Sequence, residues 1–299
     1  MTTARLLLCY DGSTDAKVAI ARAAATFGPR AALVIAVWEP APADQGEVVT
    51  ITRDRAARTL AAEGAKLAEA HGFAPVEPAA VRSAGTVWET VLDAGARFET
   101  AVTVLGSRGR SGGRSPLLGS VSDHVVHHAT GPVFVARHDA ANSTSTHALI
   151  AYDGSDDAKL AVECAGRVLA KRAVVVLAVW QDPHAALAQS WAGMTYRTDL
   201  GEITAAAQRA ASACASEGVA LAEAAGLTAE PLVRQAIGPV WPTLLQASDE
   251  LDAGVVVLGS RGLTGISTLM LGSVSDAVLH HSRCPALIVR HGARLDRPR

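Results

Sequence analysis

The sequence predicts an α/β protein made of two tandem doubly wound domains, each a five-stranded parallel sheet flanked by helices. Two observations carry this prediction. The chain repeats itself in order, and each repeat alternates short apolar runs with helical stretches. Leu7–Ser13 (LLCYDGS) returns as Leu149–Ser155 (LIAYDGS), and Val34–Trp38 returns as Val176–Trp180. Val102–Gly106 returns as Val255–Gly259, and Gly131–His138 as Cys284–His291. The apolar runs are continuous rather than alternating, as expected of strands covered by helices on both faces.

In the first repeat Arg5–Tyr10 reads as a strand. Asp15–Phe27 is helical and stops at Gly28-Pro29, a pair that cannot continue a helix. Ala32–Trp38 is a second strand. Thr52–His71 is a long Ala/Glu-rich helix closed by Gly72. Val76–Arg82 is a third strand, Thr86–Arg97 a third helix and Val102–Leu105 a fourth strand. Ser120–His128 is a fourth helix and Val133–Arg137 a fifth strand. The second repeat follows the same plan, with extra residues at Gln181–Leu200 that read as an extended loop or partial lid. The polar stretch Asp139–Thr146 is a linker, which puts the domains at 1–138 and 147–292.

Composition narrows the function. Of the 299 residues, 49% are hydrophobic, enough for two cores, and the net charge of −2 gives no broad basic face for nucleic acid or anionic membrane. The apolar runs, such as Ala173–Trp180, are too short to span a bilayer. Met1 leads straight into a strand-like Leu6-Leu7-Leu8, so no secretory signal is expected. Cys9, Cys164, Cys214 and Cys284 form no CxxC pair and read as buried thiols of a reducing cytosol.

The chemistry lies in a repeated Gly-rich segment. Gly106-Ser107-Arg108-Gly109, nine residues, then Gly119-Ser120 recurs as Gly259-Ser260-Arg261-Gly262, nine residues, then Gly272-Ser273. Such a loop follows the fourth strand and opens the fourth helix, at the carboxyl edge where ligands bind in this kind of sheet. Gly106 and Gly109 offer backbone angles closed to other residues and let a phosphate approach. Gly119, Ser120, Val121 and Ser122 open a helix whose free N–H groups suit an anion, and Ser120 and Ser122 add hydroxyl donors. Gly272, Ser273, Val274 and Ser275 do the same in the second repeat. The plain alternative is a connection between strand and helix, which a spacing kept twice while Arg110–Leu118 and Leu263–Leu271 differ argues against. Neither GxxxxGK[ST] nor GxGxxG occurs.

Asp11 and Asp153 close the first strands beside that loop. Each carboxylate could hold a ribose hydroxyl, the amides of a base-binding segment or a phosphate-bound metal, or form an Asx-turn before the next helix. Arg108 and Arg261 could neutralise phosphate charge or be solvated loop residues. Trp38 and Trp180 could border an adenine or simply pack. Trp88, Trp241 and the pairs His127-His128 and His280-His281 read as packing and helix-end residues.

Together, Tyr-Asp-Gly-Ser at the first strand, Gly-x-x-Gly-x₉-Gly-Ser, and a last strand of Pro-Val-x-Val type resemble the universal stress protein family, in tandem form, over nearly all of both halves. The resemblance implies a Rossmann-like fold of adenine-nucleotide-binding type and the branch that binds ATP, with magnesium on the phosphates. Asp11, Gly106, Gly109, Gly119, Ser120 and Ser122 would form one site. Asp153, Gly259, Gly262, Gly272, Ser273 and Ser275 would form the other, and the backbones of Val37 and Val179 would hold adenine. Family members pair through their last strands. Val133–Arg137 and Ala286–Arg290 are therefore expected to meet in an intrachain pseudo-dimer, with a homodimer left open. The function implied is a cytoplasmic ATP-binding stress regulator with little turnover and protein partners the sequence does not identify. A slow ATPase is the rival, but no acid–base pair to activate a nucleophile recurs in the two repeats.

Overall fold

The computed structural model describes residues 5–42, 46–109, 118–137, 147–169, 173–182, 200–263 and 271–290. The first half runs β1 (Leu6–Cys9), α1 (Thr14–Phe27), β2 (Ala32–Trp38), α2 (Gly46–Ala70), β3 (Val76–Arg82), α3 (Val87–Arg97), β4 (Val102–Gly106), α4 (Ser120–His128) and β5 (Val133–Ala136). The second runs β6 (Ala148–Ala151), α5 (Asp156–Val168), β7 (Ala173–Gln181), α6 (Leu200–Ala224), β8 (Thr228–Ala236), α7 (Val240–Glu250), β9 (Val255–Gly259), α8 (Ser273–His281) and β10 (Ala286–Val289).

Local chemistry explains the boundaries. Ser13 caps α1, its hydroxyl accepting the Ala16 N–H at 3.1 Å, and Ser155 caps α5 through the Ala158 N–H at 3.2 Å. Thr86 and Glu89 close α3 with a reciprocal capping box. Gly28, at φ 70°, ends α1 in a conformation that disfavours a side chain. The helix α2 starts at Gly46, ahead of the expected Thr52. Its added turn carries Val48 and Ile51, 76% and 59% exposed, so no buried stripe marked it in the sequence.

The ten strands among the described residues form one sheet in the order β3-β2-β1-β4-β5-β10-β9-β6-β7-β8. Each half is parallel, and the order reverses between β1 and β4 and between β6 and β9. Leu6 and Leu8 join the core under α1, α2, α5 and α6, while Leu7 joins the core under α3, α4, α7 and α8. Helices thus cover both faces, as a doubly wound sheet requires. The edge strands differ from the continuous burial expected: β3 and β8 are largely half-buried or exposed, because each has a neighbour on one side only.

The halves meet at β5 and β10, paired antiparallel with Val133 opposite Ile288, Phe134 opposite Leu287 and Val135 opposite Ala286. Val133, Val135, Leu287 and Val289 are all at most 3% exposed. Burying side chains of this size contributes about 1.5–3 kcal/mol each. Arg30, 6% exposed, donates from Nη2 to the carbonyls of Phe27 and, across the halves, of Val168 at 2.7 Å, so one cation serves two helix C-termini. The linker Asp139–Thr146 and residues 183–199 of the expected insertion lie outside the described residues.

Candidate functional site

At the first switch point, the carboxyl ends of β1 and β4 face the start of α4 across a cleft of about 170 Å³. Asp11, at the end of β1, and Val37, at the end of β2, line one side. Gly106, Arg108 and Gly109 line the loop side, and Gly119, Ser120, Val121 and Ser122 the helix side. Ile35, Val91 and Leu105 give it an apolar wall.

The helix end is open. Gly119 is the N-cap of α4 and makes no side-chain cap, unlike Ser13, Ser155 and Thr86 on their helices. Its own N–H donates to the Ser107 carbonyl at 2.8 Å, and the Asp123 N–H returns to the Gly119 carbonyl at 2.9 Å. The N–H groups of Ser120, Val121 and Ser122 lie between these two bonds, at the positive end of the helix. Gly272 repeats the arrangement on α8, with its N–H on Ser260 at 2.8 Å and no side-chain cap.

The geometry changes two expectations and closes one alternative. Ser122 and Ser275 do not offer hydroxyl protons to a ligand. Each donates to a carbonyl, Gly106 and Gly259 respectively, at 2.7 Å, and so ties the helix to the preceding strand. Gly106 is not in the left-handed region, nor is Gly109. A Cβ on Gly106 would stand 2.6 Å from the Asp15 carbonyl carbon, so this glycine admits the first turn of α1. Gly109 has a different neighbour: its Cβ would lie 3.0 Å from Asp11 Oδ2. Arg108 and Arg261, for which a solvated loop position was the alternative, are half-buried and paired. Their Nε atoms lie 3.4 and 3.3 Å from Asp15 Oδ2 and Asp157 Oδ2.

Those aspartates were missed. Asp15 is 5% exposed; its Oδ2 accepts the Ser107 hydroxyl at 2.6 Å and the Arg108 N–H at 3.0 Å. Asp157 likewise accepts the Ser260 hydroxyl at 2.7 Å. A buried carboxylate so bonded pins the start of each Gly-rich loop to the first turn of a helix. The available signal was the aspartate four residues after Asp11 and Asp153 in both repeats.

Asp11 does make an Asx-turn, accepting the Ser13 N–H on Oδ1 at 3.0 Å, and it lines the cleft as well. Asp153 does the same with Ser155 at 3.0 Å, and its Oδ2 accepts the Leu263 N–H at 3.3 Å. Beneath Asp11, Tyr10 donates to Glu63 at 3.1 Å; burial and that carboxylate push its pKa up to about 12. Burial, then Asp11, raises the pKa of Cys9, which lines the cleft. Trp38 packs on Ala36, Ala57 and Ala61, which favours packing over an adenine contact. Trp88 stacks on His124 and His128, and Trp241 on His281.

Beside the second switch point the loop borders a different depression, lined by Gly154, Ser155, Asp156, Asp157, Arg261, Gly262 and Leu263. Of the residues expected at this site it takes in Arg261 and Gly262 but not Asp153, Val179 or Gly272–Ser275, and Val179 packs against the α7–α8 side of the sheet. Gly272 still abuts the loop, a Cβ there lying 3.3 Å from the Ser260 carbonyl oxygen, and Ser273, Val274 and Ser275 open α8 beyond it.

The molecule is thus a tandem doubly wound α/β protein with an uncapped helix N-terminus at each switch point. The family model described as "Universal stress protein family" matches residues 2–137 and 145–290, and the chain belongs to that family. Universal stress protein Rv2005c of Mycobacterium tuberculosis is 33% identical over 195 residues, 64% of this chain and 62% of the relative. Universal stress protein Rv1996 of the same organism is 30% identical over 200 residues, 64% of this chain and 59% of that protein. The matched segment therefore spans under two thirds of these curated relatives. Among solved structures, a universal stress protein from Archaeoglobus fulgidus DSM 4304 superposes with a TM-score of 0.65 at 21% identity, covering 97% of this chain and 99% of its own. The functionally unknown protein PA1789 from Pseudomonas aeruginosa PAO1 gives 0.58 at 13% identity, covering 97% and 93%. At these identities both speak to the fold. No helix among the described residues is long and apolar enough to cross a membrane.

Proposed function

We propose that this chain is a cytoplasmic ATP-binding regulator of a stress response that holds one adenine nucleotide in each half and turns it over slowly or not at all. The observation that carries the reading is the open start of α4 and of α8. Both helices follow a Gly-rich loop and begin at a glycine with no side-chain cap, as α7 also begins uncapped at Pro239, whereas Ser13, Ser155 and Thr86 cap theirs; at the switch points the first N–H groups of α4 and α8 stand where an anion would bind. Gly119 and Gly272 pack closely on their loops, a Cβ at either lying 3.3 Å from a loop carbonyl oxygen, so a side chain there fits only with a shift of the loop.

In this reading Ser120, Val121 and Ser122, and Ser273, Val274 and Ser275, bind phosphate oxygens through the backbone. The backbones of Val37 and Val179 hold adenine. Asp11 and Asp153 meet ribose or a magnesium ion on the phosphates; such an ion would neutralise phosphate charge. Arg108 and Arg261 add positive charge from the loop while anchored to Asp15 and Asp157. Slow turnover fits the described residues, among which the Ser107, Ser122, Ser260 and Ser275 hydroxyls are donated within the protein, the buried Asp15 and Asp157 accept bonds from the loop, and Asp11 and Asp153 are occupied by ribose or metal in this reading. Nucleotide-stripped, folded protein should bind about two ATP by titration calorimetry. Mass spectrometry of ligand released on purification should show an adenine nucleotide. A stoichiometry of zero would remove the proposal. Phosphate release with magnesium at rates near the ~10 s⁻¹ of typical enzymes would replace it with an ATPase.

A further inference from the structure

Each half ends its sheet with an arginine that reaches into the other half. Arg137 follows β5, and its Nη1 donates to the carbonyl of His280 at 2.9 Å. Arg290 follows β10, and its Nη1 donates to the carbonyl of His127. The acceptors lie in the last turns of α8 and α4, where carbonyls have no partner inside the helix. Both arginines are 8% exposed. Two buried cations therefore sit at two helix C-termini, the end of the dipole that favours them.

The backbone beside each arginine is tied to the Gly-rich loop of its own half. The Ser107 N–H donates to the Ala136 carbonyl at 2.8 Å, and the Ser260 N–H to the Val289 carbonyl at 2.7 Å. Those carbonyls belong to the peptide bonds that lead into Arg137 and Arg290. One residue thus joins the loop of one half to the helix of the other. The helix it grips is nine residues long. That is about 13 Å at 1.5 Å per residue, short enough to move as one piece, so a hold on its C-terminus also sets where its open N-terminus stands. Arg290 also lies within the field of the second loop. Burial lowers its pKa, Arg261 lowers it further, and Asp157 opposes both.

We propose that Arg137 and Arg290 are positioning residues that each set the phosphate-facing helix of the opposite half, coupling the two sites across the β5–β10 seam. The proposal rests on the reading that both sites hold nucleotide. Its sign is specific. Loss of Arg290, a residue of the second half, damages the first site, and loss of Arg137 damages the second.

Amide hydrogen exchange on the full chain, followed in peptides covering 118–128 and 271–281, reads both helices at once. Without nucleotide, Arg290→Gln should speed exchange in α4 and leave α8 as in the parent, with Arg137→Gln the mirror image. Titrating ATP against the same peptides should show the first site weakened about 5-fold or more in Arg290→Gln and the second site weakened less, since there only the charge beside Arg261 is lost. Arg290→Lys, which keeps the cation, should recover part of the loss and carries the same comparison if the glutamine variant unfolds. Equal loosening of both helices, loosening on the arginine's own side, or no change overturns the proposal, since a merely structural residue would soften both. If ATP protects neither peptide in the parent chain, the nucleotide reading fails, and the exchange rates without ATP still decide the cross-seam hold.

Discussion

Replacing Gly106 with alanine tests what that glycine is for. The new Cβ would stand 2.6 Å from the Asp15 carbonyl carbon, 2.8 Å from the Ala16 nitrogen and 2.8 Å from Asp15 Cβ. None of these belongs to the far end of a flexible side chain, so α1 or β4 has to move, by about 1 Å to reach ordinary contact at ~3.5 Å. Overpacking of this kind costs about 1–3 kcal/mol. The shift also stretches the bonds that Asp15 accepts from the Ser107 hydroxyl at 2.6 Å and the Arg108 N–H at 3.0 Å. Weakening hydrogen bonds to a buried carboxylate adds roughly 1–3 kcal/mol. The sum, about 2–6 kcal/mol, corresponds to a melting point lower by about 3–10 °C at this chain length. Gly119→Ala is the control. Its Cβ would meet Arg108 Cα and the Ser107 oxygen at 3.3 Å, which a shift of a few tenths of an ångström relieves. Urea and thermal unfolding of both variants against the parent decide the matter. If Gly106→Ala is as stable as the parent, or is harmed less than Gly119→Ala, the close approach of α1 is not why glycine stands there.

Asp15→Asn and Asp157→Asn should each cost roughly 1–3 kcal/mol in urea unfolding, because the amide replaces an acceptor of charge-assisted bonds inside the protein. Gly272→Val should remove one of two bound nucleotides while the melting curve stays cooperative; retention of both would misplace the second site. Burial pushes the Cys164 and Cys284 thiols from an ordinary 9.0 up to about 12, and Tyr10 from 10.0 up to about 12. A raised value means the fold favours the protonated form, so this contribution is intact below pH 9 and drains away as pH rises towards 12. The urea midpoint should therefore fall across that window, and native thiols should alkylate slowly at pH 8; a flat midpoint from pH 8 to 11 refutes the assignment.

Much of the fold was legible because burial on both faces forces continuous apolar runs. Ala32–Trp38 is such a run and has the limits its residue pattern suggests; the half-exposed edge strand Val76–Arg82 and the helix Ser120–His128 also keep their expected limits, without being such runs. The beginning of α2 was not legible, since Val48 and Ile51 face solvent and follow no buried stripe. At the site, spacing found the loop and the open helix but assigned some parts to the wrong partner. A Gly-rich motif reads the same whether a glycine makes room for a ligand or for another helix. Gly106 makes room for α1, a neighbour some ninety residues earlier in the chain. Ser122 was read as a ligand donor because its bond to Gly106 depends on how the strand and helix fold back on each other. Asp15 was overlooked because a buried acid becomes apparent only once its donors, Ser107 and Arg108, arrive from β4.

The antiparallel seam between β5 and β10 has a consequence for concentration. Two separate chains that pair through a strand edge come apart on dilution, and their sites are then two independent populations. A pair held on one backbone meets at the effective concentration set by its linker, which dilution leaves untouched. The ratio of the two sites is likewise fixed at one to one by the gene. Each side of the seam is then free to change against a single known neighbour, as Phe134 facing Leu287 already shows. The outer edges β3 and β8 each carry a mid-strand proline, Pro78 and Pro231, with no N–H to offer a further strand. Growth of the sheet is thus directed inward, and the pairing is written into the chain rather than into its abundance.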